Sequence, residues 1–510
     1  MRKNGVLMHI TSLPSPYGIG TLGKEAYNFV DFLKKANQSY WQILPLGPTS
    51  FGDSPYSAYS TFAGNPYMID LDLLAEDGLL DPADYQNLNW GNDPEKVDFG
   101  KLYDNRFKVL KKAADKFLAK PAADYKDFLK ENAAWLDDYA LFMALKDVNK
   151  GEPWQSWPAE MKVYTPEKAA ALTKKYKDSV DFYKALQYFF LKQWKNVRAY
   201  ANENGIEIIG DLPIYVALDS VDAWSNPQLF QFDETCQPTA VAGCPPDAFS
   251  ADGQLWGNPL YDWDYHKKTG YDWWIRRMGH LANLYNILRI DHFRGFDSYY
   301  SIPYGETTAR NGKWVEGPGI ELFDAMKAKI GEKPIVVEDL GYLTPSVKKL
   351  LADTGYPGMK VLQFAFDSRD ASSSDYLPYK YPANSIVYAG THDNDTIQGW
   401  FKTAHPEDVE LAKDYMQSWN PENYHWDMIR TMLSSASDTA IVTAQDLLGL
   451  GSESRMNTPS TLGGNWEWRA APGELSNAIA KKLGHMTKLY GRAPQAEEAE
   501  AEEVETVTAE

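Results

Sequence analysis

Eight short apolar runs recur along the chain and alternate with stretches of helical pattern. They are Gly5–Ile10, Trp41–Leu46, Ile206–Asp211, Leu288–Asp291, Ile335–Glu338, Val361–Phe364, Ser385–Ala389 and Ala440–Ala444. Intervening stretches such as Glu321–Ile330, Pro345–Asp353 and Pro406–Trp419 carry helical spacing. Short continuous runs of β-branched residues that break into polar, Gly-containing loops read as strands buried on both faces of a parallel sheet. Eight of them alternating with helices predict an α/β fold, a (β/α)8 TIM barrel. An open doubly wound sheet is the rival, and the count alone does not remove it. With 510 residues, 44% of them hydrophobic, the chain has enough apolar material for one decorated barrel or for two to three domains.

Two connections are too long for simple βα units. Between the second and third runs, Trp135, Tyr139, Phe142 and Leu145 fall at helical spacing and a long amphipathic pattern covers residues 180–204, which predicts a large, mostly helical insertion. The segment from Pro213 to Asn286 is rich in Trp, Gly, Pro and Asp and reads as a loop-rich subdomain over the barrel mouth. The expected organisation is a catalytic barrel over residues 1–492, with insertions at about 50–200 and 213–286. Beyond it, residues 493–510 form an Ala/Glu-rich tail with Glu497, Glu498, Glu500, Glu502, Glu503, Glu505 and Glu510. Such a segment has too little apolar surface to order itself.

Three carboxylates are placed at or just after the ends of such apolar runs: Asp291 in Leu288-Arg289-Ile290-Asp291-His292-Phe293-Arg294-Gly295, Glu338 in Ile335-Val336-Val337-Glu338-Asp339, and Asp393 in Thr391-His392-Asp393-Asn394. Each has a bland reading: Asp291 a structural ion pair with Arg289, Glu338 an acid at a helix start, Asp393 a helix cap. Together those readings must explain three acids at matching positions on three strands, at the rim where barrels gather their chemistry. A shared site is the stronger reading. Arg289 and Asp291 are two apart on one strand, so their side chains share a face and Arg289 would favour the ionised Asp291 that a nucleophile needs. Carboxylate chemistry of this kind suits a glycosidic bond. A retaining enzyme needs a nucleophile and an acid/base about 5–5.5 Å apart, which acids on adjacent strands can supply. The 17 Trp and 32 Tyr include rings able to offer a flat apolar face with a polar edge to a sugar.

Other chemistries fit less well. Gly18-Ile19-Gly20-Thr21-Leu22-Gly23 matches a dinucleotide fingerprint, but seven residues separate it from the first strand-like run and no acid closes the next, so it reads as a decoy. A metal site is the sharpest competitor, since His9, His292 and His392 accompany the acids; yet no two histidines stand at i, i+2 on one strand. There is no G-x-S-x-G elbow. The net charge of −19 opposes binding to nucleic acid or an anionic membrane surface. No cofactor or metal is expected. The start of the chain lacks a signal-peptide pattern and no stretch is long and apolar enough to span a membrane, so a cytoplasmic location is expected. There Cys236 and Cys244 would stay reduced.

At these residues the chain resembles the 4-α-glucanotransferases of glycoside hydrolase family 77, in the α-amylase clan. The resemblance runs from near residue 3 to about residue 490. It is carried by His9-Ile10-Thr11-Ser12-Leu13-Pro14-Ser15-Pro16-Tyr17-Gly18-Ile19-Gly20, Gly210-Asp211-Leu212-Pro213, Arg289-Ile290-Asp291-His292-Phe293-Arg294-Gly295, Glu338-Asp339-Leu340-Gly341, Thr391-His392-Asp393-Asn394 and Ser454-Arg455-Met456-Asn457-Thr458-Pro459. It implies Asp291 as nucleophile, Glu338 as general acid/base and Asp393 as transition-state stabiliser. Asp211, Arg289, His392 and Asn465 would line the donor sugar site, and Tyr56 and Trp256 would contact the glucan. Pro245–Trp256, with Phe249, would be a loop over the site. The implied partners are α-1,4-glucans (maltooligosaccharides and amylose), with glucose as acceptor, acted on by a monomer or homodimer. The motifs supply bond-breaking chemistry; whether sugar or water completes the reaction is not in them, and a hydrolase or a non-catalytic glucan-binding protein stays open on the residues alone.

Overall fold

The computed structural model describes residues 2–246, 250–341, 343–370 and 372–494. Phe249 and the acidic tail from residue 495 onward lie outside the described residues.

The expected strands close on themselves. In chain order the strands are β1 (Lys3–Leu7), β2 (Tyr40–Gln42), β3 (Glu207–Leu212), β4 (Ala240–Cys244), β5 (Gln254–Pro259), β6 (Ile287–Ile290), β7 (Ser298–Pro303), β8 (Lys313–Glu316), β9 (Ile335–Val337), β10 (Gly358–Val361), β11 (Ser385–Tyr388) and β12 (Thr439–Thr443). β1, β2, β3, β6, β9, β10, β11 and β12 form a closed, all-parallel barrel in which β1 pairs with β12. Closure leaves no free edge, and that selects the barrel over the open sheet. Seven strands fall close to their predicted places. The sixth does not: it occupies Gly358–Val361, and Leu362–Phe366 coils into a 3₁₀ helix. Its sequence, Gly-Met-Lys-Val, lacks a β-branched run. Gly358 is required there because a Cβ would press 2.6 Å from an oxygen of Asp339, whose Oδ1 accepts the Met359 N–H at 2.6 Å.

The insertion after β2 is helical as expected, with Phe99–Ala119, Tyr125–Val148 and Lys177–Glu203 as its long members. Tyr139, Phe142 and Leu145 are buried on Tyr125–Val148, which packs on Lys177–Glu203. That last helix also meets β3 and the helix Lys24–Lys35, so it closes the barrel wall as well as the insertion. The segment after β3 holds more order than its sequence predicts. β4 and β5 pair antiparallel, β4 pairs with β7, and β7 with β8, giving a four-stranded sheet beside the barrel. β7 and β8 come from the connection after β6, so the sheet ties two connections together.

The seam between first and last strands is fastened by arginine. Buried Arg492 donates to the carbonyls of Lys3, Leu433, Ser435, Ser437 and Asp438. The glycines of Gly18–Gly23 serve close packing. A Cβ on Gly20 would collide with the Ile10 carbonyl, and one on Gly23 with the Asp70 carboxylate. A carboxylate at that helix start leaves no place for a phosphate. Cys236 and Cys244 are not joined by a disulfide. No helix among the described residues is long and apolar enough to cross a membrane.

Candidate active site

All three acids stand beyond the C-terminal ends of barrel strands. Across β6 and β9, Arg289 lies opposite Val336 and Ile290 opposite Val337, so Asp291 and Glu338 follow at the same level on neighbouring strands. Backbone bonds carry the register past the strand ends: Glu338 N–H donates to Ile290 O at 2.8 Å and Phe293 N–H to Glu338 O at 3.0 Å. Neighbouring strands run about 4.8 Å apart, so the two carboxyls face one another across a single strand spacing. Asp393 reaches the same rim from the turn after β11.

Arg289 organises the centre. Its Nη1 donates to both oxygens of Asp211 at 2.8 and 2.7 Å and to Asp291 Oδ1 at 3.0 Å. Asp211 lies opposite Arg289 across β3 and β6, and its side chain is fully buried. The Tyr56 hydroxyl also donates to Asp211, at 2.7 Å. Burial opposes the charge on Arg289, yet the facing carboxylates hold its pKa well above the usual arginine value. The predicted Arg289–Asp291 contact is present, but Arg289 is shared with Asp211. Burial pushes the Asp291 carboxyl well above its ordinary range; Arg289 opposes this, and Asp211, Glu338 and Asp393 add to it. Glu338 is also raised by burial, against Arg289 and two backbone donors. Those donors are His292 N–H to Oε2 at 2.7 Å and Leu340 N–H to Oε1 at 3.0 Å. Asp291 and Glu338 therefore titrate as a pair that retains a proton above the usual carboxylate range.

Asp393 is held by residues to which sequence reasoning gave no role. Asn457 Nδ2 donates to Asp393 Oδ1 at 2.6 Å. Arg455 donates to the carbonyl oxygens of both Asp393 and Asn457. No described residue donates to Asp393 Oδ2, so one oxygen is anchored and the other is left without a protein donor on a side chain that is 46% exposed. A hydrogen bond to a charged group contributes about 1.5–3 kcal/mol. Asn457→Ala is therefore expected to lower kcat about ten- to a hundredfold. An unchanged kcat would reduce Asn457 to a packing role.

An aromatic wall stands beside Asp393. Tyr56 stacks on His392 at 5.1 Å between centroids, and Trp466 closes on both at 5.9 and 6.0 Å. Burial lowers the His392 pKa, so its ring packs as a neutral group 3.5 Å from Asp393. His9 is likewise kept neutral, its pKa lowered to about 3 by burial and by His392. Trp256, on β5, meets His292 edge to face at 4.9 Å. Asn465 turns its bonds to its own loop: it accepts from Thr458 N–H and donates to Thr461. It thus shapes the loop that delivers Trp466. Trp466 has a left-handed backbone, with φ of 66°, and only its place in Gly464-Asn465-Trp466-Glu467-Trp468 could have drawn attention to it. Among the described residues, no group of three or more His, Cys, Asp or Glu side chains converges as a metal site would.

Known proteins resemble this chain over nearly its whole length. The family model described as 4-alpha-glucanotransferase, glycoside hydrolase family 77, matches residues 8–475. The 4-alpha-glucanotransferase of Clostridium butyricum is 50% identical over 487 residues, covering 95% of this chain and 100% of that protein. That of Thermus thermophilus is 45% identical over 505 residues, covering 96% and 99%. Among solved structures, the amylomaltase from Streptococcus agalactiae in complex with acarbose is 46% identical with a TM-score of 0.94, covering 97% of this chain and 100% of that one.

Proposed function

Because the chain belongs to glycoside hydrolase family 77, the 4-α-glucanotransferases, and is thus a glucan-transferring enzyme with α-1,4-glucan substrates, we propose that it works by double displacement on Asp291 and Glu338. Glu338 protonates the glycosidic oxygen while Asp291 attacks C1, and a covalent glucosyl-enzyme forms as the shortened glucan leaves. Glu338, now ionised, takes the proton of an incoming 4-hydroxyl, whose oxygen displaces Asp291 from C1 and restores an α-1,4 bond. The observation that carries this reading is the in-register placement of the two acids across β6 and β9, with Glu338 bonded to the residue after Asp291.

The surroundings supply the remaining roles. Asp393, anchored through Oδ1, offers Oδ2 to sugar hydroxyls, a contact that tightens as positive charge builds at C1. Arg289 keeps Asp291 ionised and carries Asp211, which in turn fixes Tyr56 as a wall for the donor sugar. Trp256 offers its ring to the acceptor. Transfer outruns hydrolysis when a sugar held on such surfaces has an effective concentration above that of water. We take maltooligosaccharides and amylose as donors and glucose as the smallest acceptor. Purified protein incubated with maltotriose is expected to give glucose and a ladder of longer maltooligosaccharides, read by chromatography. Maltose and glucose alone would make it a hydrolase, and unchanged maltotriose would remove catalysis from the reading.

A further inference from the structure

One residue touches the nucleophile, the acid/base and the acceptor platform together. His292 follows Asp291 directly. An extended chain would turn its ring to the opposite face, but β6 ends at Ile290 and His292 adopts φ of 50°. That left-handed conformation is rare outside glycine and persists where the surroundings fix it. Its backbone N–H donates to Glu338 Oε2 at 2.7 Å. Its ring meets Trp256 edge to face, with planes at 89°.

The imidazole has no other occupation. Nε2 is shielded from solvent and has no hydrogen-bond partner among the described residues. Burial, with the charge of Arg294, lowers the ring's pKa to about 3, so it is neutral and packs. Trp256 is 37% exposed and is steered by a bond from Nε1 to Gln254 at 3.0 Å. β5, which bears Trp256, pairs with β4, and β4 with β7, the strand that follows the His292 turn. Platform and turn are therefore joined through one sheet.

We infer that His292 is a positioning residue that couples Trp256 to Glu338 and sets how the glucosyl-enzyme divides between sugar and water. This rests on the proposed double displacement. In the second half-reaction the Asp291–C1 ester bond breaks and a C1–O bond forms to the acceptor, whose proton passes to Glu338. A sugar 4-hydroxyl and a water molecule use the same three groups. Only the sugar gains from Trp256, so support of the indole acts on the choice of acceptor.

The test is a double-mutant cycle on maltotriose, read as the ratio of transfer products to new reducing ends. Being measured within one sample, that ratio is untouched by loss of folded enzyme. Asn tolerates the left-handed backbone, keeps the N–H and removes the ring. His292→Asn is expected to lower the ratio about three- to tenfold, the equivalent of one aromatic pair, and Trp256→Ala to lower it at least as far. The double variant should fall no further than Trp256→Ala alone, because the imidazole acts through the indole. A wild-type ratio in His292→Asn, or a double variant equal to the product of the singles, would overturn the coupling. A wild-type ratio in Trp256→Ala would overturn it too, and in that case by removing the acceptor platform from the proposed function.

Discussion

Asp291→Asn is expected to lower kcat on maltotriose by about 10⁴-fold or more, the scale on which removal of a covalent nucleophile acts. The substitution is nearly isosteric. Arg289 keeps Asp211 as its principal partner at 2.7 and 2.8 Å, so the centre should hold together and glucan should still bind. Calorimetry on the variant separates lost chemistry from lost binding. In Asp291→Gly, which empties the space beside C1, azide is expected to restore cleavage and give a β-glycosyl azide. A single displacement inverts where the double displacement retains. Full turnover in either variant without azide would remove Asp291 from its assigned role.

Glu338→Gln should lower kcat about 10²–10⁴-fold, the range of general acid–base catalysis. The loss should depend on the leaving group. α-Maltosyl fluoride needs no proton to depart, so formation of the glucosyl-enzyme from it should be largely spared. The pH profile gives the sharper reading. Turnover needs Glu338 protonated and Asp291 ionised, so activity falls as pH rises through the first and as pH falls through the second. Burial raises both carboxyls, which places both limbs of the kcat/KM profile above the ordinary carboxylate range. In Glu338→Gln the alkaline limb should vanish. The acid limb should stay in place, because Glu338 is already protonated and neutral where Asp291 titrates. An alkaline limb that survives the substitution would assign it to another group.

Much of the barrel is legible in local pattern, since burial on both faces leaves its mark as short β-branched runs. β10 escapes this because a close approach to Asp339 demands glycine and a lysine interrupts the run. The antiparallel sheet escapes it for another reason. Its strands join residues 240–259 to residues 298–316, and partner choice over such separation leaves no periodic trace. The acids announce themselves by position, Arg289 by its spacing from Asp291. What holds them is less visible. That Arg289 serves Asp211 first, and that Asn457 anchors Asp393, are pairings between strands and loops far apart in sequence. Asn465 and Trp466 show the limit well: adjacent in one motif, they turn to different tasks because the backbone between them is left-handed.

The arginine-fastened seam has a consequence for how the chain reaches its folded state. Lys3 pairs with Thr439 and Leu7 with Thr443, so β1, the first barrel strand made, waits for the last. Through most of synthesis β1 has one bare edge, able to pair with the wrong strand or with another chain. Arg492 adds its bonds to the Lys3 and Asp438 carbonyls only when the end of the barrel emerges. Contacts of such long sequence separation make folding slow. The catalytic rim, which needs β3, β6, β9 and β11 in their final places, therefore arises late, and no N-terminal portion of this chain can carry the activity.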